Sequence, residues 1–329
     1  MERREWLRGG LASGTLLLAS RRLAPAATEG GTRVVVVKTE DHADGVRRAL
    51  GLLGAGGLAR KHVVVKPNFN SADPFPGSTH GETLDALVEW LGGAGATRVT
   101  VADRSGMGQT RAVMEAKGVL AQARKRGFTP VVLDETPARD WVPHRLPGSH
   151  WRRGVLFPRL LEEADAIVST CCLKTHRFGG HVTLSLKNSV GAVAKHGPDG
   201  YNYMDELHGS PAQRRMIAEL NLLYRPAVVL LDGLEAFTDG GPEKGTKVSP
   251  GLMIAGTDRV AVDAVGVAVL RLYGTTPAVS RGPIFEQEQL ARAAALGVGV
   301  GRPEQIELVT DDRAGEGVLA RLRPVLLRG

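Results

Sequence analysis

Six short apolar runs, each closing on a polar or charged side chain, constrain this chain more than any other feature. They are RVVVVKT at 33–39, HVVVKP at 62–67, RVTVAD at 98–103, PVVLD at 130–134, AIVSTCCLKTH at 166–176 and AVVLLD at 227–232. Continuous β-branched runs, without the alternation of a half-exposed sheet, predict strands buried on both faces. Segments of helical spacing separate most of them, as after Asp41, a predicted N-cap, where Val46, Leu50 and Leu53 share one side. This alternation predicts an α/β fold: a three-layer, mostly parallel sheet with helices on both faces, either as one body or as two lobes with the site between them. Further strands are expected near 251–255 and 306–310. Helices are expected near 160–164, near 211–223 and after Asp258, while 137–158 reads as irregular or short β.

In such a sheet ligands bind beyond the carboxyl ends of the strands. Lys66 and Asn68, Asp103 and Ser105, Lys174, Thr175 and His176, and Asp232 all stand at or just past predicted strand ends, so the fold would gather them on one rim. After Gly179 and Gly180, TLSLKNSVGAVAK predicts a helix or part of one, and spacing of four places Thr183, Lys187, Gly191 and Lys195 on a single face. Two lysines, a hydroxyl and a glycine suit an anion; the alternative is a solvated helix face with Gly191 as a packing contact. Thr79 and Glu82 form the pattern of a capping box, which puts His80 in the first helical turn. There the macrodipole disfavours a positive charge, leaving a neutral imidazole able to act as base or ligand, or simply as a local hydrogen-bonding residue. Asp263 lies within an apolar helix and needs a partner, for which a lysine or histidine of the central motif is expected. The polar segment 197–208 is either a lid or an ordinary surface loop. The glycine-rich TDGGPEKGTK at 238–247 is reminiscent of a phosphate nest without the strand-to-helix context of a phosphate loop.

VKPN ending at Asn68, STHGE at 78–82, LKTH at 173–176, SLKNSVG at 185–191 and TDRVAVD at 257–263 together resemble the signature of the domain-of-unknown-function 362 family, over nearly all of the chain after its first thirty residues. The resemblance implies fold and architecture rather than a reaction. Some relatives in that family carry ferredoxin-type cysteine clusters. This chain has only Cys171 and Cys172, adjacent on a strand and so on opposite faces, and an iron–sulfur cluster needs four thiolates; two small core residues are expected instead. A remoter likeness is to the nickel-pincer lactate racemase family, whose α/β site has histidines and a cofactor-bearing lysine, but its diagnostic motifs are absent here.

The N-terminus is a separate matter. Arg3-Arg4-Glu5-Trp6-Leu7-Arg8, a modest apolar run and Ala24-Pro25-Ala26 resemble a twin-arginine export signal over residues 1–27, with Glu2 and Trp6 as departures from its usual pattern. This implies an α/β domain over 28–329, exported folded by the twin-arginine machinery to the periplasm or another extracytoplasmic space. The apolar run is too short to span a membrane. The formal charge of +7 invites a nucleic-acid reading, but residues 1–27 hold five arginines against two glutamates and so carry +3 of it. Aromatic residues, at 5%, are too sparse for base stacking.

The expected function is therefore an enzyme acting on a small carboxylate or phosphate, with His80, His176 and Lys187 as catalytic candidates. Lys66, Asn68, Thr79, Asp103, Lys174, Thr175, Asn188 and Asp232 are the candidates for holding the anion. The alternative is a non-catalytic solute- or metal-binding protein of the cell envelope. For that, some of His176, His181, His196 and His208 would have to converge, although none shows the i, i+4 pairing of a helical zinc site. No metal or organic cofactor is named by the sequence.

Overall fold

The computed structural model describes residues 31–328; the expected export signal lies outside them. The chain runs β1 (Thr32–Lys38), α1 (His42–Leu53), β2 (His62–Lys66), α2 (Gly81–Gly93), β3 (Arg98–Asp103), α3 (Thr110–Ala116), α4 (Val119–Arg126) and β4 (Thr129–Val132). A hairpin of β5 (Trp141–His144) and β6 (Val155–Pro158) and a helical turn, α5 (Arg159–Glu162), lead to β7 (Ala166–His176), β8 (His181–Thr183) and α6 (Ser185–Asn188). Then follow α7 (Tyr203–Gly209), α8 (Gln213–Leu220), β9 (Val228–Phe237), β10 (Lys247–Val248), β11 (Leu252–Gly256) and α9 (Arg259–Leu272). The last elements are α10 (Pro277–Ser280), α11 (Glu288–Ala295), β12 (Ile306–Val309) and α12 (Arg313–Arg328).

One sheet carries the architecture, in the order β12-β1-β11-β9-β7-β2-β3-β4. Its centre, β9, β7, β2, β3 and β4, is parallel throughout, and only β11 is reversed along that order. The expected three layers are present. Alternate residues of each strand enter separate cores: Cys171, Leu173, Val229 and Leu231 join α9 and α12 on one face, while Val63, Val65, Cys172 and Leu230 join α1 and α2 on the other. The two thiols therefore point apart, both buried. Among the described residues no helix is long and apolar enough to cross a membrane.

Three local expectations are corrected. The segment 183–195 is not one helix. Thr183 pairs with Lys174 at the end of β8, a single α turn follows at Ser185–Asn188, and a 3₁₀ turn spans Ser189–Ala192. The buried Arg104 guanidinium donates to the carbonyls of Val190 and Val193, which draws them away from a continuing helical ladder. Secondly, His80 rather than Thr79 is the N-cap of α2, its Nδ1 accepting from the Glu82 N–H at 3.3 Å, while the Thr79 hydroxyl accepts from the Asn68 N–H at 2.8 Å. Thirdly, Asp263 takes neither lysine nor histidine. Its carboxylate accepts the backbone N–H groups of Ser185 (2.8 Å) and Leu186 (3.0 Å), anchoring the turn that presents Lys187.

Candidate functional site

Where β2, β3 and β7 end, a cavity of about 270 Å³ opens. Its polar wall is built by Lys66, Asn68, Asn70, Asp103, Arg104, His176, Thr183, Lys187 and Asn188. Parallel strands deliver Lys66, Asp103 and His176 to this rim, and the Asp263-anchored turn delivers Lys187 and Asn188 from the side.

Most of the wall is braced. The Lys66 ammonium lies 2.6 Å from the Asp103 carboxylate, donates to the Pro67 carbonyl at 2.7 Å and reaches the Asn188 side-chain oxygen at 3.4 Å. Asp103 also accepts the Phe69 N–H at 2.6 Å. Burial pushes its carboxyl up, and the charge of Lys66 works in the opposite direction. Asn188 ties the strands together, its amide donating to the Ser169 hydroxyl and the Thr170 carbonyl, both at 3.2 Å. No substituent fits at Gly191, where a Cβ would fall 2.8 Å from Lys66 Nζ and 2.9 Å from Asp103 Oδ1. Gly191 does make a close contact, but with the ion pair at the cavity rather than as part of a solvated helix face.

The remaining groups are not braced. Lys187 is 8% exposed and makes no hydrogen bond or ion pair with any described residue. Burial pushes its ammonium down to about 7, helped by the charges of Lys174 and Arg104. Beside it, His176 Nδ1 is buried without a partner, and burial together with Lys187 holds the imidazole neutral, well below the usual histidine range. Gly180 lies against both: a Cβ there would sit 2.7 Å from Lys187 Cε and 3.0 Å from His176 Nδ1. Asn70 Nδ2 and Thr183 Oγ1 are buried and unpartnered too. Lys66, Arg104 and Lys187 put three cationic side chains on the wall against the one carboxylate of Asp103, and Arg104 spends its donors on the carbonyls of Val190, Val193 and Ser105. His208, from α7, donates Nδ1–H to the Met204 carbonyl at 2.7 Å, which leaves Nε2 as the free nitrogen of the neutral ring. The 197–208 segment is thus partly helix, and it contributes Met204 and His208 to the wall.

Five sequence candidates do not line this cavity, because their side chains are engaged elsewhere. Lys174 is fully buried and donates to Asn68 Oδ1 at 2.9 Å and to the Gly77 carbonyl, and Thr79 braces the same loop. Thr175 donates to the Phe237 carbonyl at 3.2 Å. Asp232 turns to the opposite face, where it pairs with His42 Nδ1 at 2.9 Å and accepts from the Thr83 hydroxyl at 2.5 Å. His80 belongs there as well, its ring stacked on His42 at 3.9 Å in a separate cleft of about 550 Å³. Burial lowers the His42 pKa, but the bond to Asp232 and its charge outweigh that and raise it; burial, then His42, lowers that of His80. His181 and His196 lie outside the first cavity, and among the described residues no group of three or more His, Cys, Asp or Glu is arranged to hold a metal.

Sequence reasoning missed Arg104, Asn70 and His42 as site residues. All three follow the ends of strands, so the rule that selected Asp103 and Asn68 would also have selected them.

Comparison with curated proteins finds no match. Among solved structures the chain is similar to a crystallised protein of Thermotoga maritima, with a TM-score of 0.45 and 14% identity, covering 83% of this chain and 60% of that one. It is also similar to the lactate racemase apoprotein from Thermoanaerobacterium thermosaccharolyticum, with a TM-score of 0.43 and 14% identity, covering 89% and 86%. Neither likeness bears on function. A family model described as a domain of unknown function, DUF362, matches residues 63–268, and the chain belongs to that family.

Proposed function

We propose that the cavity at the ends of β2, β3 and β7 is the active site of an enzyme acting on a small carboxylate or phosphate. The observation that carries this reading is Lys187: a buried ammonium with no carboxylate and no hydrogen-bond partner, facing a cavity beside an equally unpartnered His176. Burying a cation unpaired costs free energy that an arriving anion offsets, so the site is prepared for negative charge. The division of labour follows from the two protonation states. His176, held neutral, offers Nδ1 as a hydrogen-bond acceptor to the substrate, and Lys187, near 7, can stabilise developing negative charge as the ammonium or take up a proton as the amine. Lys66, fixed by Asp103, and Asn188, fixed by the strand ends, orient the anion.

Calorimetric titration with acetate and inorganic phosphate tests this. The reading expects both anions to bind at pH 6.5 and Lys187→Met to weaken them by about 1.5–3 kcal/mol, the contribution of one charge-assisted hydrogen bond. Equal binding by the variant would refute it. We propose further that the chain is exported by the twin-arginine route, on the strength of Arg3-Arg4 ahead of an apolar run and Ala24-Pro25-Ala26.

A further inference from the structure

The cavity wall combines two chemically different kinds of side chain. Its unpartnered polar groups, Lys187, His176 and Thr183, are buried, whereas two of its apolar lining residues, Met107 and Phe178, are 42% and 47% exposed. Single exposed apolar side chains are ordinary on a protein surface. Here, though, two of the five large exposed hydrophobic residues among those described line one cavity, together with Val190, Met204 and Pro242. Met107, Phe178, Val190, Met204 and Pro242 come from separate segments: the loop after β3, the β7–β8 turn, the 3₁₀ turn after α6, helix α7 and the loop between β9 and β10. Local sequence bias does not bring five such segments together. Phe178 is also held in place, lying over the Arg177 guanidinium at 4.3 Å and edge-on to the His176 ring at 5.8 Å. An aromatic face held this way can cover an apolar group at little cost in side-chain entropy.

Inorganic phosphate or acetate would engage only the buried polar groups and leave these side chains wet. The volume, about 270 Å³, lies just below the ~300–1,000 Å³ typical of pockets for organic ligands. We infer that the ligand is an amphiphilic organic anion, whose carboxylate or phosphate group meets Lys187 and whose apolar portion, of about phenyl size, lies against Met107 and Phe178. This rests on the anion-site reading above, and it goes further in naming the part of the ligand that supplies selectivity.

The test compares four probes by calorimetry at one pH and salt concentration: acetate and inorganic phosphate, and their phenyl-bearing counterparts 3-phenylpropionate and phenylphosphonate. Covering a phenyl group predicts that each phenyl-bearing probe binds roughly 10- to 100-fold tighter than its plain counterpart. The double variant Met107→Ser, Phe178→Ser should lose most of that advantage and leave acetate and phosphate binding unchanged; both residues are exposed, so the fold tolerates the change. Plain and phenyl-bearing anions binding equally well, or an advantage that survives the double substitution, would overturn this inference and leave the anion site standing. No binding by any of the four would overturn both.

Discussion

Replacing Lys187 by Met should stabilise the unliganded protein. An ordinary lysine titrates at 10.5, and burial in the cavity wall brings this one to about 7. That difference corresponds to roughly 3–5 kcal/mol by which the folded state disfavours the ammonium. The unfolded chain binds the proton more tightly, so the cost is fully present below about pH 7, shrinks as pH rises and vanishes above about 10.5. Wild-type stability should therefore gain from this group between about pH 7 and 10, before other groups titrate. Met keeps the unbranched stem and most of the packing, so the variant should be more stable at pH 6.5 by about 2–4 kcal/mol once imperfect packing is allowed for. For a domain of this size that is a rise in Tm of about 4–8 °C. Urea denaturation of wild type and variant at pH 6.5, 8 and 9.5, with no added carboxylate or phosphate, measures it. The gap should narrow steadily with pH. A variant less stable than wild type at pH 6.5, or a gap independent of pH, would show that Lys187 is not buried unpaired.

Other perturbations separate the braced part of the wall from the free part. Lys66→Met leaves Asp103 buried without its partner and should cost about 3–5 kcal/mol in urea denaturation, the opposite sign to Lys187→Met. Gly191→Ala drives a methyl into the ion pair and toward the Arg104 carbonyl at 3.1 Å, and should cost about 1–3 kcal/mol by the same assay. Cys171→Ala and Cys172→Ala should each cost about 1–2 kcal/mol through lost packing, with anion affinity unchanged by calorimetry; burial holds both thiols protonated, Cys172 near 11. Replacing Arg3 and Arg4 together by Lys should trap the precursor in the cytoplasm, as cell fractionation would show.

The strands were legible because a strand buried on both faces has no choice of composition: VVVVK, HVVVK and AIVSTCC declare themselves, and the polar residue after each marks the rim. That rule brought Lys66, Asn68, Asp103 and His176 correctly to one cavity. Side-chain direction was less legible. Asp232 also follows an apolar run, but its carboxylate turns to the face of α1, where His42 and Thr83 meet it, and nothing in AVVLLD states which face its acid takes. Lys174 illustrates a different limit. Its ammonium is taken up by Asn68 and by the carbonyl of Gly77, and a backbone acceptor leaves no mark in the sequence. Backbone donors satisfied Asp263 in the same way: the sequence showed that it needed partners, yet not that they would be the N–H groups of Ser185 and Leu186. The i, i+4 spacing of Thr183, Lys187 and Gly191 predicted a shared helix face. All three do line the cavity, but through a strand end, one α turn and a 3₁₀ turn, held by Arg104 from outside the segment.

Whether Lys187 is an unpaired buried ammonium awaiting an anion is tested most directly by NMR of its ε-methylene, assigned by its loss in Lys187→Met. Titrated without carboxylates or phosphate, the resonance should shift with a midpoint near 7. On addition of saturating 3-phenylpropionate or phosphate the midpoint should move upward by one pH unit or more, since a bound negative charge favours the ammonium. A midpoint near the ordinary lysine value of 10.5, unmoved by any anion, would contradict the account.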